Sequence, residues 1–117
     1  MSGQDWTNSG LEVLGPNDFE SGRLRRPGRY AVCFGAAWCP FCRVFVETFR
    51  SMPTREDTHR AIADITDLKS PLWDSFHIRI TPSVVCFENG AQVLRLDGRR
   101  FRGIRGRQLE PLAEFLR

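Results

Sequence analysis

Long apolar runs are missing from this chain: nowhere do hydrophobic residues continue uninterrupted for the roughly 18 positions that a bilayer-spanning helix needs. The start, Met1-Ser2-Gly3-Gln4-Asp5-Trp6, also lacks the basic segment and apolar stretch of a secretory signal. No membrane-spanning helix and no membrane partner are expected, and the chain reads as cytoplasmic. Internal repeats and low-complexity tracts are absent, and 117 residues leave no room for a second domain. Histidine is scarce, with His59 and His77 both in polar surroundings where a surface position is the default. What the chain does hold is 41% hydrophobic residues, enough for a packed core, and four cysteines. Without an export signal these read as free thiols or a transient catalytic pair, not as two structural disulfides.

The net charge is +3 and the pI near 8.9. The excess is uneven: Arg99, Arg100, Arg102, Arg105 and Arg107 crowd toward the C-terminus. Such a run suits phosphate or an acidic partner. Here it alternates with Gly98, Phe101, Gly103, Ile104 and Gly106, which reads as a solvated strand end and turn before the last helix. No nucleic-acid partner is expected.

The informative segment is Trp38-Cys39-Pro40-Phe41-Cys42. An apolar run of strand type, Tyr30-Ala31-Val32-Cys33-Phe34-Gly35, precedes it, and Arg43-Val44-Phe45-Val46-Glu47-Thr48-Phe49 follows with helical periodicity. The pair therefore sits where a helix begins, beside unpaired N–H groups and the positive end of the peptide dipoles. The thiolate is the nucleophile in disulfide exchange, so Cys39 is expected to be the more acidic thiol and to attack. Pro40 suits the first helical position. Cys42, one residue short of a full turn further on, lies deeper and within disulfide reach, and would resolve.

Along the rest of the chain, residues 1–10 read as a loose tail and 11–117 as one domain. Leu11-Glu12-Val13-Leu14 is a strand candidate, and Asn17-Asp18-Phe19-Glu20 after Pro16 reads as a helix start. The segment from Arg23 to Arg29 reads as a basic connection. A central strand runs to about Ala36, and a helix runs from Cys39 to a stop before Pro53. Ala61-Ile62-Ala63-Asp64-Ile65 is a third strand, and a helix covers Pro71 to Phe76. Ser83 to Phe87 and Ala91 to Leu96 are strands joined at Asn89-Gly90, the strongest hairpin signal present. Gln108 to Arg117 is an amphipathic helix with Leu109, Leu112, Ala113 and Leu116 on one face. The order predicts an α/β fold, a central mixed sheet of four to five strands with helices on both faces, and a site at the strand ends.

Trp38-Cys39-Pro40-Phe41-Cys42, together with Ile78-Arg79-Ile80-Thr81-Pro82-Ser83 and Phe87-Glu88-Asn89-Gly90, resembles the thioredoxin family. The likeness runs from Leu11 to Arg117 and implies a thioredoxin-like fold with a cis bond before Pro82. A cis bond costs little before proline and would leave the backbone of Thr81 free to pair with an extended substrate segment. Trp38, Pro40, Phe41, Thr81 and Pro82 are thus the candidates for substrate contact. The sequence departs from the family in two ways. Pro40-Phe41 stands where thioredoxins usually have Gly-Pro and is similar to glutaredoxins, although Leu96-Asp97-Gly98 is not their glutathione-holding turn. Cys33 stands where thioredoxins usually have a buried aspartate, the proton acceptor for the resolving cysteine. Glu47 and Asp64 are the substitutes to consider, and no direct replacement is expected. Cys33 and Cys86, each flanked by apolar strand residues, read as packing residues.

The resemblance implies a thiol–disulfide oxidoreductase that reduces protein disulfides through Cys39 and Cys42. It would need no bound cofactor or metal, would draw electrons from a reductase or small thiol, and would act as a monomer. A glutaredoxin-like or oxidising protein is the alternative within the fold. Outside it stand a zinc module completed by Cys33, Cys86, His59 or His77, and a redox-inactive interaction domain.

Overall fold

The computed structural model describes residues 6–117. Its centre is strand β4 (Arg29–Gly35), whose side chains from Tyr30 onward are all buried. Full burial on both faces is why this strand reads as a continuous apolar run, without alternation. β4 pairs in parallel with β5 (Thr58–Asp64) and antiparallel with β6 (Ser83–Glu88). β1 (Glu12–Leu14) and β7 (Ala91–Asp97) are the edges, in the order β1-β5-β4-β6-β7. The parallel β4–β5 pair requires a crossover, supplied by helix α1 (Pro40–Ser51).

Alternation of side chains across the sheet creates two cores. Ala31, Cys33, Ile62, Val84 and Cys86 face the layer holding α1 and the C-terminal helix α3 (Glu110–Leu116). Val32, Phe34, Ala63, Val85 and Phe87 face the layer of α2 (Leu72–Ser75), a single turn. At the start of β4, Arg29 fastens the sheet to α3. It donates to Thr58 Oγ1 at 2.9 Å, to Glu88 and to the Phe115 carbonyl, and its guanidinium lies 3.9 Å from the Phe115 ring centroid.

Four local expectations are corrected. Residues 17–20 do not start a helix: a 3-10 turn over Pro16–Asp18 gives way to β2 (Phe19–Glu20), paired antiparallel with β3 (Arg23–Leu24). The Asp18 carboxylate accepts the Gly15 N–H at 2.9 Å and closes that turn. Phe19 then enters the core with ring centroids 5.6, 5.2 and 6.0 Å from Phe34, Phe76 and Phe87. The basic connection from Arg23 accordingly begins as strand, entered through Ser21 and Gly22 with φ of 53° and 77°, a two-residue turn matched to strand twist. The loose tail is corrected at Trp6, which is buried in the α1-side core because a large indole finds apolar partners there; residues 1–5 lie outside the described residues. The final helix also differs in its first turn, which is 3-10 over Gly106–Leu109 before α3 begins.

No helix among the described residues is long and apolar enough to cross a membrane. His59 and His77 are both exposed.

Candidate active site

The backbone leaving β4 is held tightly before it enters α1. Ala37 N–H donates to Thr66 Oγ1 at 2.9 Å, and Thr66 Oγ1 donates in turn to Asp64 at 2.5 Å. Cys39 N–H donates to the Ala36 carbonyl at 3.0 Å, closing the turn that delivers Cys39 to the helix N-cap. Its extended φ and ψ of −97° and 111° aim the side chain back over the first turn, where Sγ accepts the Cys42 N–H at 3.3 Å. This is an N-cap bond with sulfur in place of the usual oxygen. Pro40 follows at the first helical position, exposed, where its missing N–H leaves no bond unmade.

The two cysteines lie 3.0 Å apart as free thiols. Cys39 is 5% exposed and Cys42 is fully buried behind it. Burial pushes the Cys42 thiol up to about 12, and its hydrogen bond to the Cys39 sulfur adds to the effect. Cys33 is buried in the same layer, and burial followed by the proximity of Cys42 and Cys39 pushes its thiol well above the ordinary range. Burial likewise pushes Cys86 up to about 12. The groups acting on Cys42 are Cys39, Thr81 and the Ala36 backbone, with no carboxylate among them. Glu47 is paired instead with Arg50 at 3.3 Å on the outer face of α1, and Asp64 is engaged by Thr66.

The segment before β6 completes the site. The Cys39 thiol donates to the Thr81 carbonyl at 3.6 Å. The Thr81–Pro82 peptide is cis, and Pro82 is buried. The position of Pro82 depends on Gly98, just beyond β7. Gly98 N–H donates to the Pro82 carbonyl at 2.9 Å, and a Cβ on Gly98 would lie 2.4 Å from that oxygen. No side chain fits there without moving the backbone beside Cys39.

Trp38 is 54% exposed yet fixed: its indole N–H donates to the Thr66 carbonyl at 3.0 Å, and its ring lies nearly parallel to Trp73, with centroids 6.3 Å apart. Phe41 also reaches the surface and packs on Gly103, where an added Cβ would stand 3.3 Å from the Phe41 Cβ. The structure therefore brings together Trp38, Cys39, Phe41, Cys42, Thr81 and Pro82. Sequence reasoning missed Trp73, Gly98 and the loop from Arg99 to Gly103. The basic run was visible, but nothing local said that it folds back against Phe41. Among the described residues, no three His, Cys, Asp or Glu side chains group as metal ligands.

No protein-family model matches the chain, and no curated protein does. Solved structures do match. Thioredoxin f2 from Chlamydomonas reinhardtii aligns with 88% of this chain and 93% of its own, at TM-score 0.64 and 18% identity. The long form of thioredoxin f from spinach chloroplast aligns over 92% and 84%, at TM-score 0.66 and 12% identity. Mitochondrial thioredoxin 3 from Saccharomyces cerevisiae aligns over 91% and 95%, at TM-score 0.61 and 15% identity. Across nearly its whole length, then, this chain has the thioredoxin fold, an α/β fold with Cys39 and Cys42 at the head of the helix that follows the central strand.

Proposed function

We propose that the protein is a thiol–disulfide oxidoreductase that reduces disulfides in other proteins. The carrying observation is the asymmetry of the pair: Cys39 caps the helix with an N–H aimed at its sulfur, while Cys42 sits fully buried 3.0 Å behind it. In the first step the Cys39 thiolate attacks a substrate sulfur, forming a mixed disulfide and releasing one substrate thiolate. Cys42 then loses its proton and attacks the Cys39 sulfur. The second substrate thiol leaves, and a Cys39–Cys42 disulfide carries the two lost electrons' oxidation state. A reductase or small thiol returns the pair to the dithiol.

Among the described residues the Cys42 proton has no carboxylate to receive it, so the departing substrate thiolate or water takes it. Burial disfavours the Cys42 thiolate, so resolution accelerates as the solution becomes alkaline. Thr81, beside the Cys39 sulfur, offers backbone groups to an extended substrate segment, and Trp38 and Phe41 offer apolar contact.

The test is reduction of insulin disulfides with dithiothreitol as donor, with zinc content measured on the same sample. Wild type should turn over without stoichiometric zinc, and Cys39→Ser should be inactive. Cys42→Ser should accumulate a mixed disulfide with substrate, visible as a mass adduct that reductant removes. Equal partial losses in the two variants would overturn the assigned roles.

A further inference from the structure

A shallow cleft of about 410 Å³ opens beside the redox pair. Trp38, Phe41 and Trp73 line one side, and Thr81, whose carbonyl is 3.6 Å from the Cys39 sulfur, lines its inner end. A molecule occupying the cleft therefore abuts Thr81, the residue next to the Cys39 sulfur. The remaining wall is contributed by Arg79 and by the loop carrying Arg99, Arg100 and Phe101. No carboxylate lines the cleft, and these three arginines form no ion pair among the described residues. On its other side the same loop borders a smaller cleft of about 160 Å³, lined by Arg99, Arg102, Arg105 and Arg107. The basic surface is thus continuous from the redox pair outward.

The loop is built to present these groups. Arg99 and Gly103 pair as an isolated bridge, with Arg99 N–H donating to the Gly103 carbonyl at 3.0 Å and Gly103 N–H to the Arg99 carbonyl at 2.9 Å. Phe101 at its tip has φ of 62°, an uncommon conformation for a bulky residue, and the residue is 79% exposed. A strained backbone that pushes an aromatic ring into water beside three arginines serves contact with something else better than it serves the fold. The contact of Phe41 with Gly103 anchors the loop to the first turn of α1, so loop and nucleophile keep a fixed relation.

We infer that this face selects the substrate: it takes an acidic polypeptide segment, seating an apolar or aromatic side chain in the cleft among Trp38, Trp73 and Phe101 and its carboxylates on Arg79, Arg99 and Arg100. This deepens the redox reading and rests on it for the word substrate. Charge complementarity fixes the sign of the partner, and the aromatic walls fix its apolar residue. A polypeptide meets both requirements at once, with main-chain groups left for Thr81.

The experiment uses the full chain and short peptides, each with one phenylalanine next to a serine in place of cysteine, and flanked by glutamate, glutamine or lysine. Binding is read from tryptophan fluorescence across a salt series, and the cysteine versions, as disulfides, are then offered for reduction. The glutamate peptide should bind about tenfold more tightly than the lysine peptide at low ionic strength, with the gap closing to about threefold or less as salt screens it. The triple charge reversal R79E/R99E/R100E should invert the order, and Phe101→Ser should weaken all three peptides alike. Preference together with reduction supports both readings. Preference without reduction keeps the acidic docking face and defeats the redox reading. Equal binding of the three peptides, whether or not they are reduced, overturns the inference, as does a single-stranded oligonucleotide that displaces the glutamate peptide more effectively than the peptide competes with itself.

Discussion

Raising the pH of the fully reduced protein should destabilise it, and the size of the effect follows from its buried thiols. Burial pushes Cys42 and Cys86 from the ordinary 9.0 up to about 12, and holds Cys33 well above 9.0 as well. Above the ordinary value the unfolded chain releases protons that the folded chain keeps. The folded state binds more protons in that window, so stability is intact below it and falls as pH rises through it. Each such thiol removes about 1.4 kcal/mol per pH unit. At about pH 10 the loss is about 1.4 kcal/mol for each of Cys42 and Cys86 and about 3 kcal/mol for the two, with Cys33 acting in the same direction, a large share of a typical domain's stability of about 5–15 kcal/mol. The assay is urea denaturation under a non-thiol reductant at about pH 8 and about pH 10, with stability taken from the midpoint and slope. Cys86→Ala should lower stability at neutral pH through lost packing, while reducing the alkaline decline at about pH 10 by about 1.4 kcal/mol. Closing the Cys39–Cys42 disulfide should reduce it similarly, because Cys42 then has no proton to lose. A reduced protein equally stable at both pH values, or a decline indifferent to Cys86→Ala, would refute the argument.

Gly98→Ala places a Cβ 2.4 Å from the Pro82 carbonyl, and the backbone there must move. We expect a loss of about 1–3 kcal/mol and a larger fall in disulfide reduction than stability alone explains; unchanged melting and turnover would contradict it. Trp6 is buried with an indole N–H that has no partner among the described residues. Trp6→Phe should therefore cost less than about 1.5 kcal/mol, against about 3–5 kcal/mol for Trp6→Ala, and equal costs by denaturation would show that the N–H matters more than the ring. Thr66→Val keeps the shape but removes the acceptor of Ala37 N–H and the donor to Asp64, for an expected loss of about 1–3 kcal/mol in the same measurement.

The parts of the fold legible in the sequence were those specified locally. β4 is an apolar run bounded by turns, α1 carries its own start signal in Pro40, and the β6–β7 hairpin announces itself at Asn89-Gly90, whose φ values of 49° and 89° fit the turn such a pair favours. The β2–β3 hairpin was not legible because strands of two residues have no period to read. Its place is set from elsewhere, by Leu24 N–H donating to the Gly90 carbonyl at 3.1 Å and Gln92 donating to the Gly22 carbonyl at 2.8 Å. The same holds at the site. The cysteine pair is a contiguous motif and declares itself, whereas Trp73, Gly98 and Phe101 join it only through the tertiary fold. The arginine run was visible as charge, but its direction relative to Cys39 is fixed by Phe41 against Gly103, a contact between residues distant in sequence.

All four thiols belong to one side of the sheet: Cys33 on β4 and Cys86 on β6 share a single apolar layer with Cys39 and Cys42. That arrangement bears on how the protein is prepared. While α1 has yet to dock, Cys33 and Cys86 lie on an open sheet face and the two α1 thiols are free to reach them; four cysteines permit three complete pairings, only one of which contains the bond between Cys39 and Cys42. Refolding in air closes bonds before the layer has sorted its side chains, and yields a mixture whose average activity understates the correctly paired fraction. Refolding under reductant, with oxidation afterwards, lets packing bury Cys33 and Cys86 first and leaves a single pair for the oxidant to find.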